Sequence, residues 1–279
     1  MITHYPHLET ERDGSVLIIR LANEAARNSL TRELRFSLRE VTRAIQDDQT
    51  IRAVYLTGKG QTFCAGGDLR MLKQASEPWP AHRRFKHANT LFVPLMSLDR
   101  PVVCGVRGAA VGGGMGLALM ADTVIAGESA QFAAGFFRLG LVPDCLTLFA
   151  LPRLVGLAKA RSFFFSNSTW DAQQAVEHGV ASKVVPDADV DDQGIALAHQ
   201  YASGPAEIMG LAKTIMLKSF ESSLSEMMDY EDLAQSLAQS SLEFQEGLSA
   251  LTEKRKPEFL RAVQSRPLND GLPAAVENS

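Results

Sequence analysis

Cysteine is scarce in this chain of 279 residues, and its three cysteines, Cys64, Cys104 and Cys145, are far apart. No two of them have the Cys-x-x-Cys spacing of a redox motif or a zinc site. The six histidines likewise show no metal-ligand spacing. The sequence therefore predicts reduced cysteines, no disulfide framework and no metal centre.

Long apolar runs and excess positive charge are also lacking. No stretch approaches the ~18 consecutive apolar residues of a membrane span. The N-terminal residues MITHYPHLETERDG carry acids and histidines where a signal peptide has an apolar segment. The formal net charge of −4 gives no electrostatic signature of nucleic-acid binding. We therefore expect a cytoplasmic protein with no membrane span and no nucleic-acid partner.

Three common active-site motifs are absent. There is no Gly-x-Ser-x-Gly nucleophile elbow. The glycine triplet Gly112–Gly114 lacks the Gly-Lys-Ser/Thr of a phosphate loop, and it does not fit the Gly-x-Gly-x-x-Gly dinucleotide fingerprint. An apolar content of 46% and a charged content of 22% are nevertheless those of an ordinary globular protein with a sizeable core.

Strands and helices alternate over most of the chain, which predicts an α/β fold. The predicted strands are Ser15–Leu21, Arg52–Thr57, Val102–Val106, Thr123–Ala126 and Val180–Val185. After residue 189 the strand signal ends, and the predicted helices are Asp191–Ser203, Ala206–Ser219 and Leu224–Leu251. The last of these carries an apolar stripe, which packs either on its own domain or on another subunit.

Three local expectations complete the secondary-structure prediction. The polar segment Glu77–Arg84, which contains Trp and Pro, predicts a mobile loop. Thr169 is a candidate N-cap of a helix running to His178, which Gly179 would end. The tail after Arg261 is rich in Pro, Asn and Gly and is expected to be loose.

Two glycine-rich segments, FCAGGD and VGGGMG, each precede a predicted helix, the first over Asp68–Gln74. Such a segment exposes backbone N–H groups at the positive end of a helix dipole, where a negative group can approach without meeting a side chain. Both could instead be tight turns that need glycine for their dihedral angles. Two converging N–H donors are what a carbonyl oxygen needs when it becomes an enolate or a tetrahedral oxyanion.

The segments FCAGGDL, RGAAVGGGMGLALMAD, LGLVPD and EGLSALTEKRKPEF occur in an order that resembles the enoyl-CoA hydratase/isomerase, or crotonase, superfamily. The resemblance extends over about Val16 to Phe259. It implies a ClpP-like spiral of repeated ββα turns over residues 1–200 and a helical oligomerisation region over residues 201–279. It also implies acyl-CoA substrates, no cofactor besides the CoA of the substrate, and a homotrimer or homohexamer.

The resemblance also implies site residues. The N–H groups of Gly67 and Gly113 would bind the thioester oxygen. Lys254 would reach CoA phosphates from a neighbouring part of the assembly, which suits a net acidic protein binding a polyanion. The other implied substrate and CoA contacts are Ala25, Ala26, Arg27, Ala65, Asp68, Leu69, Arg70, Gly112 and Phe136. Arg70 could equally be a solvated cation, and the Asp68 carboxylate is expected to cap a helix while its N–H contacts CoA.

Departures from the family pattern bear on the reaction. Hydratases of the family have glutamates at the positions of Gly116 and Phe136, neither of which can move a proton. Asp144 is the ionisable group left near the thioester, and an aspartate there is found in double-bond isomerases and aryl-CoA dehalogenases. The run FFRLGLVPDC is most similar to ring-epoxide isomerases of phenylacetate catabolism and Δ3,Δ2-enoyl-CoA isomerases, although those tend to have glycines where this chain has Leu146 and Thr147.

From the residues alone, Asp144 could also be the N-cap of a helix that starts near Cys145. An apolar setting would raise the pKa of a catalytic Asp144 and improve it as an acid. Cys145 has no nearby histidine in sequence to activate it as a nucleophile. The leading hypothesis is an isomerase with Asp144 as the single acid/base. The alternatives are a hydratase or thioester hydrolase using Asp144 and water, and a catalytically weak acyl-CoA-binding protein.

Overall fold

The computed structural model describes residues 5–70 and 78–264. Within these ranges the strands form two sheets, a six-stranded sheet in the order β1-β2-β3-β4-β6-β9 and a three-stranded sheet in the order β5-β7-β8. The strands are β1 Leu8–Asp13, β2 Val16–Leu21, β3 Ala53–Gly58, β4 Val102–Val106, β5 Ala109–Val111, β6 Thr123–Gly127, β7 Gln131–Ala133, β8 Thr169–Asp171 and β9 Lys183–Val185. In the large sheet only β1 and β2 pair antiparallel.

The helices surround the sheets and dominate the last third of the described chain. They are α1 Arg32–Asp47, α2 Pro78–Asn89, α3 Phe92–Met96, α4 Gly113–Ala118, α5 Thr147–Val155, α6 Leu157–Phe165, α7 Ala172–Glu177, α8 Val190–Ser203, α9 Ala206–Met216, α10 Leu224–Gln239, α11 Leu242–Glu253 and α12 Phe259–Gln264. None of the helices in the described ranges combines the length and the apolar character that a bilayer crossing requires.

Both faces of the large sheet are covered, which explains why all six residues of β3 are buried. On one face, Val54 and Leu56 belong to the main core together with the buried stripe of α1. On the other face, Tyr55 packs with α8, and its hydroxyl donates a 2.8 Å hydrogen bond to Asp191. The alternation of side chains along a strand therefore sends neighbouring residues into two separate cores.

A repeated unit organises the middle of the chain. A strand of the large sheet is followed by a strand of the small sheet and then by a helix, as in β4-β5-α4 and β6-β7-α5. After β3, the single residue Cys64 pairs in parallel with Ala110 of β5. These repeats are the predicted ββα turns, and the α/β fold expected from the sequence is confirmed.

Several local predictions are wrong. Residues 78–84, predicted as a loop, belong to α2, because Pro78 and Pro80 occupy the first helical turn, where the missing N–H costs nothing. Thr169 is in strand β8, and Asp171 caps α7 instead, accepting a 2.8 Å hydrogen bond from the Gln174 N–H. Glu77, and all of the predicted helix Asp68–Gln74 after Arg70, lie outside the described residues.

The long helix predicted over Leu224–Leu251 is two helices. The helix is interrupted between α10 and α11 at Ser241. The Ser241 hydroxyl accepts a 3.0 Å hydrogen bond from the Phe244 N–H and so caps α11. Strand β1 was not predicted, because its residues Glu9–Asp13 are exposed and polar. The tail predicted to be loose after Arg261 is helical to Gln264, and the rest of it lies outside the described residues.

A buried ion pair ties the C-terminal helices to the sheet. The Arg52 guanidinium, just before β3, lies 2.7 Å from the Glu243 carboxylate of α11, and the two side chains are 4% and 0% exposed. Arg52 also donates to the carbonyls of Ala202 and Gly204, while Glu243 accepts from the N–H groups at the start of α9. The division into residues 1–200 and 201–279 stays a prediction, and its boundary falls inside α8.

Candidate active site

Two glycine-containing segments meet at the end of β5. The Val111 N–H donates a 3.0 Å hydrogen bond to the Cys64 carbonyl, and the Leu30 N–H donates a 2.8 Å bond to the Gly66 carbonyl. Gly66 has a φ of +87°, and a Cβ atom there would lie 2.5 Å from the Val111 carbonyl oxygen. Glycine is therefore required at this crossing, which brings the FCAGGD segment against the glycine triplet.

Two backbone N–H groups are left unengaged at this crossing. On either side of Gly113, the Gly112 N–H donates to the Ala133 carbonyl at 2.9 Å and the Gly116 N–H donates to the Gly112 carbonyl at 3.0 Å. The N–H groups of Gly67 and Gly113 donate to no other group in the part of the chain that the structure describes. Both glycines line the same cavity, as an oxyanion hole requires.

The cavity has a volume of about 550 Å³ and lies between α1, α2 and the loop before α5. Its apolar walls and its few polar groups are typical of a small-molecule site. The residues lining it are Leu30, Arg35, Ala65, Gly66, Gly67, Asp68, Leu69, Phe85, Phe92, Val111, Gly112, Gly113, Gly135, Phe136, Arg138, Leu139, Leu141, Val142, Pro143, Asp144 and Cys145. The sequence-predicted residues Ala65, Gly67, Asp68, Leu69, Gly112, Gly113, Phe136 and Asp144 are thus brought together.

Asp144 lies in the wall of this cavity and does not cap a helix. Helix α5 begins at Thr147 with Leu146 at the N-cap position and no side-chain cap. It is the backbone carbonyl of Asp144 that accepts hydrogen bonds from the Thr147 N–H and hydroxyl, at 3.0 and 2.8 Å. The N-cap alternative is therefore wrong, and burial raises the pKa of the Asp144 carboxyl.

The residues after Asp144 adopt an uncommon backbone conformation. Cys145 and Leu146 both have left-handed dihedral angles, with φ of +54° and +59°. The Cys145 thiol is hydrogen-bonded to the Asp144 carboxylate, and burial raises the thiol pKa far above its usual range. A thiol held protonated is a poor nucleophile, so the geometry offers no support for nucleophilic catalysis by Cys145.

Asp68, the other carboxylate of the cavity, is in a different environment. Its Oδ1 accepts a 3.0 Å hydrogen bond from the Arg70 N–H, the kind of contact expected of a helix cap. The Arg70 guanidinium lies 3.2 Å from the same oxygen, and this hydrogen bond lowers the Asp68 pKa. Of the two carboxylates in the described part of the cavity lining, Asp144 is the one whose pKa is raised.

Gly116 and Phe136 contribute no proton-transfer group, and the space at Gly116 is closed. A Cβ atom at position 116 would lie 2.5 Å from the Cys145 carbonyl oxygen and 3.1 Å from Thr147 Cγ2. Phe136 is 8% exposed, and its ring packs against Gly112 beside the candidate oxyanion hole. The cavity wall is therefore apolar on this side.

Five residues implied by the family resemblance lie outside the cavity lining. Arg70 is engaged with Asp68, and its side chain is 78% exposed. Lys254 is exposed at the C-terminal end of α11. Ala25, Ala26 and Arg27 form the 3-10 turn Glu24–Ala26 and its end, and the Arg27 carbonyl accepts a 3.0 Å hydrogen bond from the Ala65 N–H. That bond places the turn beside the FCAGGD segment.

Sequence reasoning missed the cationic side of the cavity. Arg35 projects from α1 and Arg138 from the 3-10 turn Phe137–Leu139, and both line the cavity. Phe85 and Phe92 supply aromatic walls from α2 and α3. Nothing in the sequence distinguishes Arg35 from the other arginines of α1, since no motif surrounds it.

Comparisons with known proteins agree with this geometry. The sequence pattern of the family described as "Enoyl-CoA hydratase/isomerase" matches residues 11–262. The chain belongs to this family. A 1,2-epoxyphenylacetyl-CoA isomerase of Escherichia coli K12 is 36% identical over 88% of this chain and 95% of its own length. A 4-chlorobenzoyl coenzyme A dehalogenase of an Arthrobacter species is 29% identical over 81% and 83%.

Other proteins similar to this chain are named as hydratases. A Mycobacterium bovis protein named "Probable enoyl-CoA hydratase echA8" is 32% identical over 91% of this chain and 98% of its own length. The crystal structure of an enoyl-CoA hydratase/isomerase from Cupriavidus metallidurans CH34 superposes with a TM-score of 0.88 at 32% identity, covering 92% of this chain and 97% of the other. The protein therefore has the crotonase fold and belongs to a family of enzymes that act on acyl-CoA. Its relatives include proteins named as isomerases, hydratases and dehalogenases.

Proposed function

We propose that this protein isomerises an acyl-CoA thioester, moving a double bond from the Δ3 to the Δ2 position or rearranging a ring epoxide, with Asp144 as the single acid/base. One observation carries the proposal. Asp144 is the cavity carboxylate whose pKa is raised by burial, and it lies in the same cavity as the unengaged N–H groups of Gly67 and Gly113. The similarity to a 1,2-epoxyphenylacetyl-CoA isomerase supports it.

For the double-bond reaction the steps balance with one carboxylate. The Asp144 carboxylate removes a proton from the carbon next to the thioester carbonyl, and the electron pair moves onto the carbonyl oxygen as an enolate. The N–H groups of Gly67 and Gly113 stabilise that oxygen, a contribution typically worth about 2.7–4 kcal/mol for each donor. The protonated Asp144 then returns the proton two carbons further on, which leaves the double bond conjugated to the thioester.

The environment of the cavity argues against water addition. Two groups are needed to hold and activate a water molecule, and neither Gly116 nor Phe136 can do so. The Cys145 carbonyl closes the space at Gly116, and the Phe136 ring occupies its side of the cavity. Phe85 and Phe92 extend the apolar wall, which suits a hydrocarbon or aromatic acyl group.

We infer that CoA binds along the FCAGGD segment. Ala65, Asp68 and Leu69 would contact the pantetheine, and the turn Ala25–Arg27 beside Ala65 would approach the nucleotide. Arg70, exposed beside the cavity-lining Asp68, and Lys254 of another subunit would meet phosphates. The CoA of the substrate would be the one coenzyme involved.

The test uses purified protein with 3-enoyl-CoA and 2-enoyl-CoA substrates, comparing wild type with Asp144→Asn. We expect wild type to convert 3-enoyl-CoA to 2-enoyl-CoA and Asp144→Asn to lose roughly 10²–10⁴-fold in rate. Asp192→Asn, an exposed carboxylate of α8 outside the cavity, is the matched control and should retain wild-type activity. Water addition to 2-enoyl-CoA by the wild type would favour a hydratase. Binding of CoA esters without turnover would favour a binding protein.

We also propose that the protein is a homotrimer or homohexamer. Helix α10 has no buried residue in this chain, and its side chains Leu233 and Leu237 are 71% and 62% exposed. An apolar helical stripe of this kind needs a partner surface. Light scattering should give three or six times the chain mass of 30.3 kDa, and a monomer would contradict the proposal.

A further inference from the structure

A guanidinium group shares the cavity with Asp144. Arg35 lies on α1 directly after Leu34, which is fully buried in the main core and whose N–H donates a 3.2 Å hydrogen bond to the capping hydroxyl of Thr31. Because α1 is fixed by this cap and by its buried stripe, the Arg35 backbone is held beside the cavity, and its half-buried side chain forms part of the wall.

Four charged side chains line the described part of the cavity, each from a different element. Arg35 comes from α1, Asp68 from the FCAGGD segment, Arg138 from the turn Phe137–Leu139 and Asp144 from the loop before α5. Asp68 already has the Arg70 guanidinium as its ion-pair partner. The positive charge of Arg35 acts on Asp144 from within the same cavity, as it also does on Asp68.

The charge state of Asp144 depends on opposing influences. Burial raises the Asp144 pKa, whereas the hydrogen bond from the Cys145 thiol and then the charge of Arg35 lower it. The same guanidinium also lowers the pKa values of Asp68 and Cys145. The charge of Arg35 therefore acts on all three acidic groups in the described lining of the cavity.

We propose that Arg35 is a positioning residue that keeps Asp144 in its ionised, proton-accepting form. This inference rests on the proposed isomerase function, whose first step is proton abstraction by the ionised Asp144 carboxylate. An acyl group in the cavity excludes water, which strengthens both the desolvation of Asp144 and its attraction to the guanidinium. Arg35 is then most important when substrate is bound.

The first measurement is the pH profile of kcat/KM for double-bond migration in wild type, Arg35→Met, Arg35→Lys and Arg32→Met. Loss of the charge should move the acid limb of Arg35→Met to higher pH by on the order of one unit. Arg35→Lys should retain a limb close to that of the wild type. Arg32→Met, an exposed arginine of α1 outside the cavity, is the matched control and should not move it.

The second measurement does not depend on activity. The carboxyl stretch of protonated Asp144 is assigned by infrared difference spectroscopy against Asp144→Asn and is titrated in each protein. We expect the Asp144 titration to move to higher pH in Arg35→Met and to stay near wild type in Arg35→Lys. If Arg35→Met does not fold, Arg35→Gln takes its place in both measurements.

Two results would overturn the inference. One is that Asp144 titrates at the same pH in the variant lacking Arg35 as in the wild type. The other is a uniform fall in kcat/KM with an unmoved acid limb, which would assign Arg35 to substrate binding alone. A failure of the proposed function can be told apart from a failure of this inference. Even if the wild type has no isomerase activity, the infrared titration still shows whether the protonation of Asp144 depends on Arg35.

Discussion

The carbonyl oxygen of Cys145 approaches Gly116 so closely that a Cβ atom at position 116 would lie only 2.5 Å from it. The approach is enforced by backbone, because Cys145 and Leu146 are both held in left-handed conformations. A flexible side chain could move aside, but a carbonyl in this loop cannot move without displacing Asp144. The absence of an acid at position 116 is therefore built into the path of the loop.

Restoring a glutamate at position 116 should consequently fail to create a hydratase. We expect Gly116→Ala to lose about 1–3 kcal/mol of unfolding free energy through overpacking, and Gly116→Glu to lose more and to add no water to 2-enoyl-CoA. Denaturant titration and a hydration assay measure the two effects. Gly247→Ala in α11 is the control, because its Cβ would meet Phe259 at an ordinary 3.5 Å. Hydration by folded Gly116→Glu would contradict the argument.

The two candidate oxyanion glycines should respond differently to a methyl group. A Cβ on Gly67 would have no atom of the described residues within 4 Å, so Gly67→Ala should fold with stability within about 0.5 kcal/mol of wild type. Its methyl group would nevertheless project beside the proposed thioester site and reduce kcat/KM. A Cβ on Gly113 would lie 2.9 Å from Cys145 Sγ and 3.0 Å from Leu30 Cδ1, so Gly113→Ala should displace the thiol beside Asp144.

Steady-state kinetics and denaturant titration of both variants check this prediction. Gly113→Ala should lower kcat and also cost some stability, whereas Gly67→Ala should lower kcat/KM alone. If Gly67→Ala has the same kinetics as the wild type, Gly67 is not part of the oxyanion hole.

The parts of the site that were predictable are those in which backbone geometry demands a residue type. Position 66 must be glycine because the backbone passes the Val111 carbonyl there with a positive φ. The sequence therefore marks the crossing of the two segments. The left-handed pair Cys145-Leu146 could not be predicted, because neither residue favours that conformation. Arg35 was missed because a cavity-facing position on a helix leaves no local signal.

The errors in secondary structure have a similar origin. The polar, Pro-containing segment Glu77–Arg84 predicts a loop, although proline is tolerated in the first turn of a helix, where α2 places Pro78 and Pro80. The apolar stripe across Leu224–Leu251 continues in phase over the break at Ser241, so periodicity alone could not detect the new cap. Tertiary contacts and caps, rather than periodicity, set these boundaries.

The ion pair between Arg52 and Glu243 should be essential to the stability of the C-terminal helices. Removing one partner of a buried pair leaves an uncompensated charge, and we expect Glu243→Gln to cost about 3–5 kcal/mol in unfolding free energy. The control is Arg261→Gln, which breaks an exposed pair with Glu258 whose side chains are 84% and 59% exposed, and it should cost less than about 1 kcal/mol. Equal losses in the two variants, measured by denaturant titration, would refute this role.

Asp144 should also lower stability at neutral pH. Because burial raises its pKa in the folded state, the folded protein binds a proton at Asp144 more tightly than the unfolded chain does. The favourable contribution of this group is complete below the ordinary aspartate pKa of about 3.9 and is lost as the pH rises through the folded-state value. Asp144→Asn, which cannot ionise, should therefore be more stable than wild type at pH 7, and the difference should shrink on acidification. Denaturant titrations across this range test the sign directly, and parallel stability curves for the two proteins would show that the folded structure does not penalise the ionised carboxylate.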